Sequence, residues 1–590
     1  MNTFYTLTNI KTVIAFFVIV VFCSTVNAQC PTETTWNGNS WSNGVPNVNV
    51  KAVITGNYTA TANVSACSLT VSNGAQVIFT DGTTLTVKNE IRVNNISKLT
   101  IDNNASLVQI EDTAVNTGNI TVKRNSSSLY RLDYTLWSSP VSGQNLLAFS
   151  PETATNRFYE YQYALEANTG IVSGQYFNVN AATTNFGAAK AYLVRMPNVD
   201  NTPGYNAGTA ATTFEGAFTG TANNGVITRE LTTVGERYTA VGNPYASPIN
   251  IQDFYEANSG VLDAGAALYF WRKKNETNAG SYATITRDAY VYNHANAGSE
   301  SENQFGGEQW DELFNVTTSE ENWVINPGQG FIVKGAQGVT NPVLVFNNAM
   351  RRGDVHNNQF FRTAQPNDAL KSRLWLNLKG NEAFSQTAIV YSNTATLGID
   401  YGRDGKQITS GAVSFYSIAE QTTKLTIQAR PEFNAADVVP MGYVANAAGT
   451  FTISIHRTDG VFNNGQEIFI KDNITGAIHN LAAAYTFTTQ AGTFNNRFEI
   501  VYRLAALSTD APALTANDVV VYKNDGVISI AAGTAQITNV TIYDMGGRML
   551  YSNNDINAAQ TTATGLQAAQ QVLIVQVSTL KGNVSKKIIF

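Results

Sequence analysis

The chain has 590 residues, a formal net charge of −6 and 14% charged residues, and 43% of its residues are hydrophobic. This length corresponds to roughly four domains of about 150 residues, and the hydrophobic fraction excludes a wholly disordered chain. The 43 acidic residues outnumber the 37 basic ones and no long basic run occurs, so no nucleic-acid partner is expected. With 4 His and 3 Cys, few side chains are left for a metal or thiol site.

The N-terminus has the pattern of a secretory signal peptide. An uninterrupted apolar run at 13–23 has the length of a signal core and is too short to span a bilayer. Small residues precede the cleavage site, so residues 1–28 are predicted to be removed after Ala28. A buried helix and a lipoprotein anchored at Cys30 are the alternatives, and the second lacks a small residue before the cysteine. No other stretch is long enough for a transmembrane helix.

Cys30 and Cys67 are the cysteines that remain after this cleavage. In an exported chain such a pair most simply forms one disulfide, which ties the new N-terminus to the first domain. Two free thiols are the alternative. Neither cysteine has a histidine near it in sequence, so a thiol nucleophile would have no base.

Residues 29–125 are predicted to form a short β-solenoid. Alternating apolar pairs recur at an interval of 22 residues, and turns rich in Asn, Gly and Asp separate them. Three short strands per interval suit a solenoid, because each coil buries its apolar face only against neighbouring coils. A meander with accidental spacing is the alternative. The predicted equivalent positions are Leu69 with Ile91, Val77 with Leu99, and Leu85 with Leu107.

Two tryptophans, Trp36 and Trp41, precede this repeat among Gly and Asn residues. A solenoid must close its terminal coils, so we expect these side chains to cap its open end. Since exposed tryptophans also stack on sugar rings, carbohydrate binding is the alternative use.

The remaining chain is dominated by alternating apolar and polar residues between turn-forming segments. Residues 126–367 are predicted to form an irregular β-rich region and residues 368–505 a β-sandwich. A single short helix is expected near 251–256. After a linker at 508–513, residues 516–590 are predicted to form a small antiparallel β-sandwich. The predicted fold class is therefore all-β, with a solenoid, one or two sandwich-like regions and a small terminal sandwich.

The histidines show no metal-ligand spacing such as i, i+2 or i, i+4, so we interpret them as surface or strand residues. Neither a Gly-x-Ser-x-Gly nor a His-Glu-x-x-His motif occurs. We predict no catalytic residues, no cofactor and no metal. The histidines are His294, His356, His456 and His479.

Two further segments have a functional interpretation beside a structural one. Acidic residues cluster at 300–321 near Trp310, and we expect a solvated loop there. A paired-carboxylate site for sugar hydrolysis is the alternative. The tripeptide from Arg352 to Asp354, Arg-Gly-Asp, is interpreted as a turn and not as a receptor motif.

The last module contains motifs whose order and spacing are specific. They are Val-Tyr-Lys-Asn, Ile-Tyr-Asp-x-x-Gly-Arg-x-Leu-Tyr, Ile-Asn-Ala, Gln-Val-Leu-Ile-Val-Gln-Val and a terminal Lys-Lys-Ile-Ile. With them, the module resembles the type C class of the C-terminal sorting domain of the type IX secretion system. It departs from the family at Gln570, where members often have Asn. The residues that carry the resemblance are Tyr522, Lys523, Tyr543, Asp544, Gly547, Arg548, Leu550, Lys586 and Lys587.

The rest of the chain also contains recurrent segments, among them Trp-Ser-Ser-Pro, Val-Gly-Asn-Pro-Tyr, Gly-Gln-Gly-Phe-Ile-Val-Lys and Asn-Asn-Arg-Phe. In these it resembles multidomain surface proteins of gliding flavobacteria, a Bacteroidetes group. The two resemblances imply recognition by the type IX secretion machinery of a Gram-negative bacterium, followed by surface display or release. They carry over no catalytic residues.

We therefore expect a secreted or cell-surface, non-enzymatic β-protein with a role in adhesion or in the extracellular matrix. Glycans or surface polymers are the further partners expected. The alternative is a secreted carbohydrate-binding or carbohydrate-active protein.

Overall fold

Strands dominate the chain, and its helices are short, so the predicted all-β class is confirmed. In the part of the chain that is described, no helix combines the length and apolar character needed to cross a membrane. The predicted signal peptide lies outside that part. The computed structural model describes residues 30–167, 170–271, 282–292, 323–353, 371–408, 411–504, 515–524, 526–554, 556–568, 570–579 and 582–590.

The N-terminal region is a β-solenoid in which each coil gives one strand to each of three sheets, and equivalent strands of neighbouring coils pair in parallel. Leu69 pairs with Ile91, so the predicted interval of 22 residues is confirmed. Val77 pairs with Leu99, and Leu85 with Leu107, at the same interval. These strands are β1 (Thr32–Trp36), β2 (Val50–Ile54), β3 (Tyr58–Ala60), β4 (Val64–Ala66), β5 (Leu69–Val71), β6 (Gln76–Phe79), β7 (Thr84–Val87), β8 (Ile91–Val93), β9 (Lys98–Ile101) and β10 (Ser106–Gln109).

The solenoid continues into the next region without a break in its core. Strand β11 (Ile120–Leu129) lies parallel to β9 and antiparallel to β17 (Thr212–Ala222). The apolar residues inside the coils belong to the same buried cluster as Trp137, Phe149 and Phe218. Apolar burial therefore connects the last coil directly to the sheets that follow.

The middle region contains two main sheets, with strand orders β12-β16-β14-β15 and β19-β25-β21-β22-β23. An apolar layer that includes Leu193 and Tyr269 lies between them. The strands are β12 (Tyr134–Ser138), β13 (Val141–Ser142), β14 (Phe158–Leu165), β15 (Val172–Asn178), β16 (Ala191–Arg195), β18 (Ile227–Glu230), β19 (Tyr238–Gly242), β20 (Ile249–Asn250), β21 (Leu268–Trp271), β22 (Tyr282–Ile285), β23 (Tyr290–Val291), β24 (Val324–Ile325), β25 (Gly330–Lys334) and β26 (Val343–Phe346).

Two short helices support these sheets, α1 (Leu146–Phe149) and α2 (Ile251–Ala257). Helix α2 confirms the helix predicted near 251–256. Asn250 caps it, because its side-chain oxygen accepts the backbone N–H of Asp253 at 3.1 Å. Phe254 then packs against Phe331, with ring centroids 5.5 Å apart.

Besides a smaller buried cluster around Trp375 and Ile427, the 11-stranded sheet formed by residues 371–501 has one large apolar core. Strands at both ends of the sheet contribute to this core, Ile470 from one end and Phe487 from the other. Strand β29 pairs with β31 beside the main path. The strands are β27 (Lys371–Gly380), β28 (Ala383–Ser392), β29 (Gly405–Lys406), β30 (Val413–Ala419), β31 (Thr423–Arg430), β32 (Val438–Ala445), β33 (Gly449–Thr458), β34 (Phe469–Asp472), β35 (Ala477–Asn480), β36 (Tyr485–Thr489) and β37 (Gly492–Val501).

The end module has two antiparallel sheets, β38-β39-β42 and β41-β40-β43-β44. Its buried cluster, from Val519 to Phe590, consists only of the module's own residues. The strands are β38 (Val520–Asn524), β39 (Val527–Ala531), β40 (Ile537–Asp544), β41 (Met549–Asn553), β42 (Gln560–Ala563), β43 (Val572–Thr579) and β44 (Gly582–Ile589).

Candidate functional site

The two cysteines of the predicted disulfide lie together at the start of the solenoid. Cys30 and Cys67 are joined by a disulfide, with their Cα atoms 5.7 Å apart. Cys67 directly follows β4, and Cys30 precedes β1. The bond therefore links the beginning of the described chain to the first coil.

Trp36 and Trp41 lie over the open end of the solenoid. Their ring centroids are 5.6 Å apart, and both rings contact Tyr58, which lies in the first coil. Trp36 also donates its indole N–H to the carbonyl oxygen of Asn57 at 2.9 Å. Both tryptophans pack against the solenoid core. This geometry suits a cap, because the rings shield core residues that no further coil covers.

Asp544, Gly547 and Arg548 of the sorting-domain motif form the hairpin between β40 and β41. One Asp544 carboxylate oxygen accepts the backbone N–H groups of Gly546 and Arg548, each at 3.0 Å. The other lies 3.1 Å from Arg548 Nε. Gly547 has φ of +81°, which other residues adopt only with strain. The hydrogen bond from the Arg548 backbone is the main cause that holds the pKa of Asp544 below its usual value.

The other motif residues divide between the core and the surface of the module. Leu550 packs against the buried cluster. The Lys523 ammonium lies 4.7 Å from the centroid of the Phe590 ring, and Tyr522 is 52% exposed. Tyr543 and Lys586 are half-buried, and Lys587 is exposed.

His456 and His479, which lie in the described ranges, have different ring neighbours. His456 contacts Tyr292 edge-on, with ring centroids 5.5 Å apart, and His479 lies on β35. Residues 294 and 356 lie outside the described residues. Within the described ranges, no three His, Cys, Asp or Glu residues are placed to hold a metal ion.

The acidic cluster at 300–321 and Trp310 lie outside the described residues, and the two interpretations of that cluster remain predictions. Of the Arg-Gly-Asp tripeptide, Arg352 forms an ion pair with Asp253 on helix α2. Asp354 lies outside the described part. The arginine of the tripeptide is thus engaged within the fold.

Three of the recurrent segments meet at one buried junction in the middle region. The backbone N–H of Ser138 donates to the carbonyl oxygen of Gly328 at 2.9 Å, and that of Asn243 donates to Gln329 at 3.0 Å. A Cβ atom on Gly242 would lie 2.3 Å from the Cβ of Ser138. Only glycine permits such a close approach of backbones. Trp-Ser-Ser-Pro, Val-Gly-Asn-Pro-Tyr and Gly-Gln-Gly therefore hold the fold together.

Charged side chains in the 371–501 sheet form internal ion pairs. Asp472 and Arg497 lie 2.9 Å apart, and Arg430 contacts Asp437 at 2.7 Å through two nitrogens. Burial raises the pKa of Asp437, but the hydrogen bonds from Arg430 outweigh it and hold the pKa below its usual value. These carboxylates act as permanent partners of arginines, which does not suit proton transfer.

A row of tyrosines borders the apolar layer between the two middle sheets. Strand β14 carries Tyr159, Tyr161 and Tyr163 at alternate positions, so all three project from one face. Tyr134 lies beside Tyr159 with ring centroids 6.0 Å apart, and Tyr176 lies beside Tyr161 at 5.2 Å. All five are half-buried. We call these five residues the tyrosine strip.

The rings of the tyrosine strip are held in place by polar contacts and by a missing side chain. The hydroxyl of Tyr163 accepts the backbone N–H of Tyr238 at 2.8 Å. A Cβ atom on Gly174 would lie 1.9 Å from the Tyr161 hydroxyl, so glycine makes room for that ring. Burial raises the pKa of both Tyr161 and Tyr163. These phenols stay neutral at physiological pH and present a fixed aromatic surface.

Residues 29–502 match a protein family described as Domain of unknown function (DUF8693), and the match covers well over half of the chain. The chain belongs to this family. Its DUF8693 part contains the solenoid, the middle region and the 371–501 sheet. Residues 507–590 match a second family, Domain of unknown function (DUF8694), which contains the end module. No curated protein matches the chain.

Among solved structures, this DUF8693 member is similar to PorZ, an essential surface component of the type-IX secretion system of Porphyromonas gingivalis. The identity is 13%, over 31% of this chain and 26% of PorZ, with a TM-score of 0.12. The chain thus spans about a quarter of that relative. The lipoprotein Tp47 of Treponema pallidum shows 8% identity over 80% of this chain and 91% of Tp47, with a TM-score of 0.12.

A third similar structure is the BSP domain of a biofilm associated protein. It shows 10% identity over 78% of this chain and 96% of that domain, with a TM-score of 0.13. At TM-scores this low, none of the three similarities indicates what the DUF8693 member does.

The tyrosine strip is the surface that sequence reasoning missed. Its signal was present, because residues 158–163 read Phe-Tyr-Glu-Tyr-Gln-Tyr, an alternation that places three tyrosines on one face of a strand. What the pattern could not indicate is that this face packs against the apolar layer between the two middle sheets and that tyrosines from β12 and β15 extend it.

Proposed function

We propose that this chain is exported by the type IX secretion system and acts as a non-enzymatic β-protein at the outer surface of a Gram-negative bacterium or after release. We propose that it functions in adhesion or in the extracellular matrix. The observation that carries the proposal is the end module, residues 516–590. Its ordered motifs resemble the type C sorting domain over the whole module.

The architecture of the end module supports a role as a transferable export signal. Its buried cluster uses only its own residues, and such a core favours independent folding. The segment from Asp544 to Arg548 protrudes as a hairpin, and the Arg548 side chain is 76% exposed. A partner could therefore contact motif residues without unfolding the module.

Deletion of residues 516–590 tests the export route in the native host. The truncated chain should accumulate in the periplasm, while the full chain reaches the cell surface or the medium. Immunoblots of periplasmic, outer-membrane and culture fractions measure the distribution. Surface exposure of the truncated chain at the level of the full chain would show that the sorting assignment is wrong.

Point variants on β44 separate recognition from folding of the module. K586A/K587A alters two positions that carry the resemblance, and N583A/S585A alters two exposed positions of the same strand. We expect export of K586A/K587A to fall several-fold and export of N583A/S585A to stay close to that of the unaltered chain. Equal export of the two variants would contradict a role of the lysines.

The non-enzymatic part of the proposal is supported by how the charged groups are used. Asp472 and Asp437 are committed to arginines inside the 371–501 sheet. A carboxylate stabilised in this way is a poor general acid, because it stays ionised at neutral pH. Incubation of the purified full chain with polysaccharides, followed by measurement of new reducing ends, should give no increase over buffer.

Carbohydrate binding is the second candidate, and the tyrosine strip is the observation that favours it. The strip is a row of half-buried aromatic rings, and aromatic rings can pack against the apolar face of a sugar. This activity is compatible with a surface protein, and it would specify how adhesion occurs. Release of reducing ends in the assay above would instead favour the carbohydrate-active alternative.

A further inference from the structure

Strand β15 is an outer strand of its sheet, and its free edge lacks the usual protection against pairing with another strand. The sheet has the order β12-β16-β14-β15, so within the described ranges β15 has a neighbouring strand on one side only. Its sequence, Val-Ser-Gly-Gln-Tyr-Phe-Asn, contains no charged residue and no proline, and its register with β14 has no bulge. Proteins normally block such an edge with lysine, proline, a bulge or a covering segment.

Several other outer strands of the described sheets show this protection. Thr117 forms a bridge to β8, and on β10 the backbone N–H of Leu107 donates to the carbonyl oxygen of Ala246 at 2.7 Å. Strand β44 carries Lys586 and Lys587. Strand β15, by contrast, combines an open edge with a length of seven residues, which is more than the roughly five to six residues of a typical strand.

The hydrogen bonds between β14 and β15 show which backbone groups lie at the open edge. The backbone N–H of Val179 donates to the carbonyl oxygen of Phe158 at 2.9 Å. Hydrogen-bonded pairs alternate along an antiparallel register, so the odd-numbered residues of β15 face β14. Gly174 and Tyr176 therefore direct their backbone N–H and C=O groups outward. In the part of the chain that the structure describes, these outward groups have no hydrogen-bond partner.

A row of unpaired backbone groups at a sheet edge is a template for one further strand. A second copy of β15 matches this template when it runs antiparallel and the pairing is centred on Gln175. In that register Gly174 of each copy is opposite Tyr176 of the other, and each such pair exchanges two hydrogen bonds. Glycine within a strand also permits the close approach of another backbone.

The side chains of β15 suit pairing of the strand with itself. Ser173, Gln175 and Phe177 project from the face opposite to the tyrosine strip, and Gln175 is exposed while the other two are half-buried. In the register centred on Gln175, Phe177 of one copy is opposite Ser173 of the other, so pairing covers part of an accessible aromatic ring. Because the strand is uncharged, no like charges meet across the pair.

We propose that this chain forms a dimer with a second copy of itself through antiparallel pairing of the two β15 strands, which joins their sheets into one. A single ladder is small beside the roughly 1,200–2,000 Å² of a standard interface, so the dimer is reversible, with a dissociation constant in the micromolar range. Two joined copies present each surface twice, which strengthens attachment to a repetitive ligand. The inference does not depend on the export route or on the ligand.

Sedimentation velocity of the purified full chain over a series of concentrations tests the proposal. We expect the mass to rise from that of a monomer toward that of a dimer. Hydrogen exchange supplies a second measurement without any substitution. The backbone amides of Gly174 and Tyr176 should exchange quickly in dilute protein and at least tenfold more slowly in concentrated protein, because dimerisation gives them acceptors.

Opposite charges at the centre of the pairing assign the dimer to β15. In Q175K two lysines meet across the pair, and in Q175E two glutamates meet, so each variant alone should dimerise at least tenfold more weakly. An equal mixture of Q175K and Q175E should form a mixed dimer about as tight as that of the unaltered chain. Restoration on mixing also shows that both variants are folded.

Gln162 provides the matched control, because it is exposed and lies directly opposite Gln175 on β14. In the proposed dimer the two copies of this residue are three strand spacings apart, about 14 Å. This distance exceeds the Debye length of about 8 Å at physiological ionic strength. Q162K and Q162E should therefore change the dissociation constant by less than twofold.

Three results would overturn the inference. They are a monomer at every concentration up to the submillimolar range, equal weakening by the substitutions at Gln162 and Gln175, and failure of the mixture of Q175K and Q175E to restore the dimer. The first would leave the edge to a strand of a different protein or without a partner. A dimer with unchanged exchange at Gly174 and Tyr176 would likewise place the contact elsewhere. All of these measurements use purified protein, so failure of the export proposal would produce none of these results.

Discussion

The carboxylate of Asp472 and the guanidinium of Arg497 lie 2.9 Å apart inside the 371–501 sheet. Asp472 is completely buried. Its carboxylate also accepts the hydroxyl of Tyr485 at 2.9 Å, and Arg497 donates to the carbonyl oxygen of Thr488 at 2.9 Å. The guanidinium carbon lies 4.5 Å from the centroid of the Phe487 ring. The pair thus links adjacent strands β34 and β37 to β36.

Substitution of Arg497 by Met should destabilise the protein by about 3–5 kcal/mol, because it leaves a buried charge without its partner. Lys471 and Glu499 provide a matched control, since they pair at 3.0 Å across the same two strands but are partly exposed. K471M should cost less than about 1 kcal/mol. Urea unfolding at pH 7 measures both changes, and similar costs for the two variants would contradict the assigned role of burial.

The same pair should make the protein sensitive to acid. Burial raises the pKa of Asp472, but the hydrogen bonds from Arg497 and Tyr485 outweigh it and hold the pKa below its usual value. The folded state therefore binds fewer protons than the unfolded state between the two pKa values. Stability from Asp472 is complete above the unfolded pKa and is lost as the pH falls through the folded pKa. R497M should lose less stability than the unaltered chain between pH 5 and pH 3.

Sequence reasoning found the elements whose signals are local or periodic. The 22-residue interval predicted the pairing of Leu69 with Ile91, because stacked coils repeat their own register. Helix α2 matches the one short helix expected near 251–256, in a chain where stretches of 3.6-residue periodicity are scarce. Both outcomes depend on neighbours in sequence or on one fixed spacing.

Contacts between distant segments were not predictable from the sequence in this way. Ser138 and Gly328 are joined by a hydrogen bond, yet each segment alone indicated only a turn. Likewise, Arg157 and Arg195 become neighbours through the pairing order of β14 and β16. A single sequence specifies which residues favour strands, but it gives no register between strands far apart in the chain.

Asp404 should make stability depend on pH in the opposite sense to Asp472. It is completely buried, and its two oxygens accept the backbone N–H groups of Ala429 at 2.8 Å and Asp400 at 2.6 Å. Burial raises its pKa to about 7, and the negative charges of Asp400 and Asp288 add to the rise. The folded state thus retains a proton that the unfolded state releases near pH 4.

Because the folded pKa is the higher one, this contribution falls as the pH rises from about 4 to 7, by about 4 kcal/mol in total. D404N keeps the size of the side chain and does not titrate. The difference in unfolding free energy between D404N and the unaltered chain should therefore change across this window, with D404N gaining relative stability at higher pH. Parallel stability curves from pH 4.5 to 8 would show that Asp404 does not titrate in this range.

Gly174 should be required for the position of Tyr161 in the tyrosine strip. An added Cβ atom would lie 1.9 Å from the Tyr161 hydroxyl, so the ring must move. G174A should cost about 1–3 kcal/mol. Gly187 is a control in the same region, because its added Cβ would lie 3.4 Å from the Cβ of Lys190, an ordinary contact. Thermal unfolding that shifts equally in G174A and G187A would contradict this role.

Asp544 should act in export by forming the hairpin. D544N keeps a side-chain oxygen that can accept the N–H groups of Gly546 and Arg548, whereas D544A removes this acceptor. We expect export of D544N to stay within twofold of the unaltered chain and export of D544A to fall several-fold. Fractionation of cells that produce each variant measures export. Equal loss in both variants would instead indicate direct recognition of the carboxylate.

The disulfide between Cys30 and Cys67 should stabilise the solenoid by restricting the unfolded chain. The cysteines are 37 positions apart, and loop closure over this length corresponds to about 3–4 kcal/mol. C30S/C67S should lower the unfolding free energy of the first coils by up to this amount, as hydrogen exchange of β2 to β4 would measure.

Non-reducing mass spectrometry of the exported chain should yield one linked Cys30–Cys67 peptide. Since Cys23 lies in the predicted signal peptide, no free thiol should remain, and detection of two free thiols would contradict the bond.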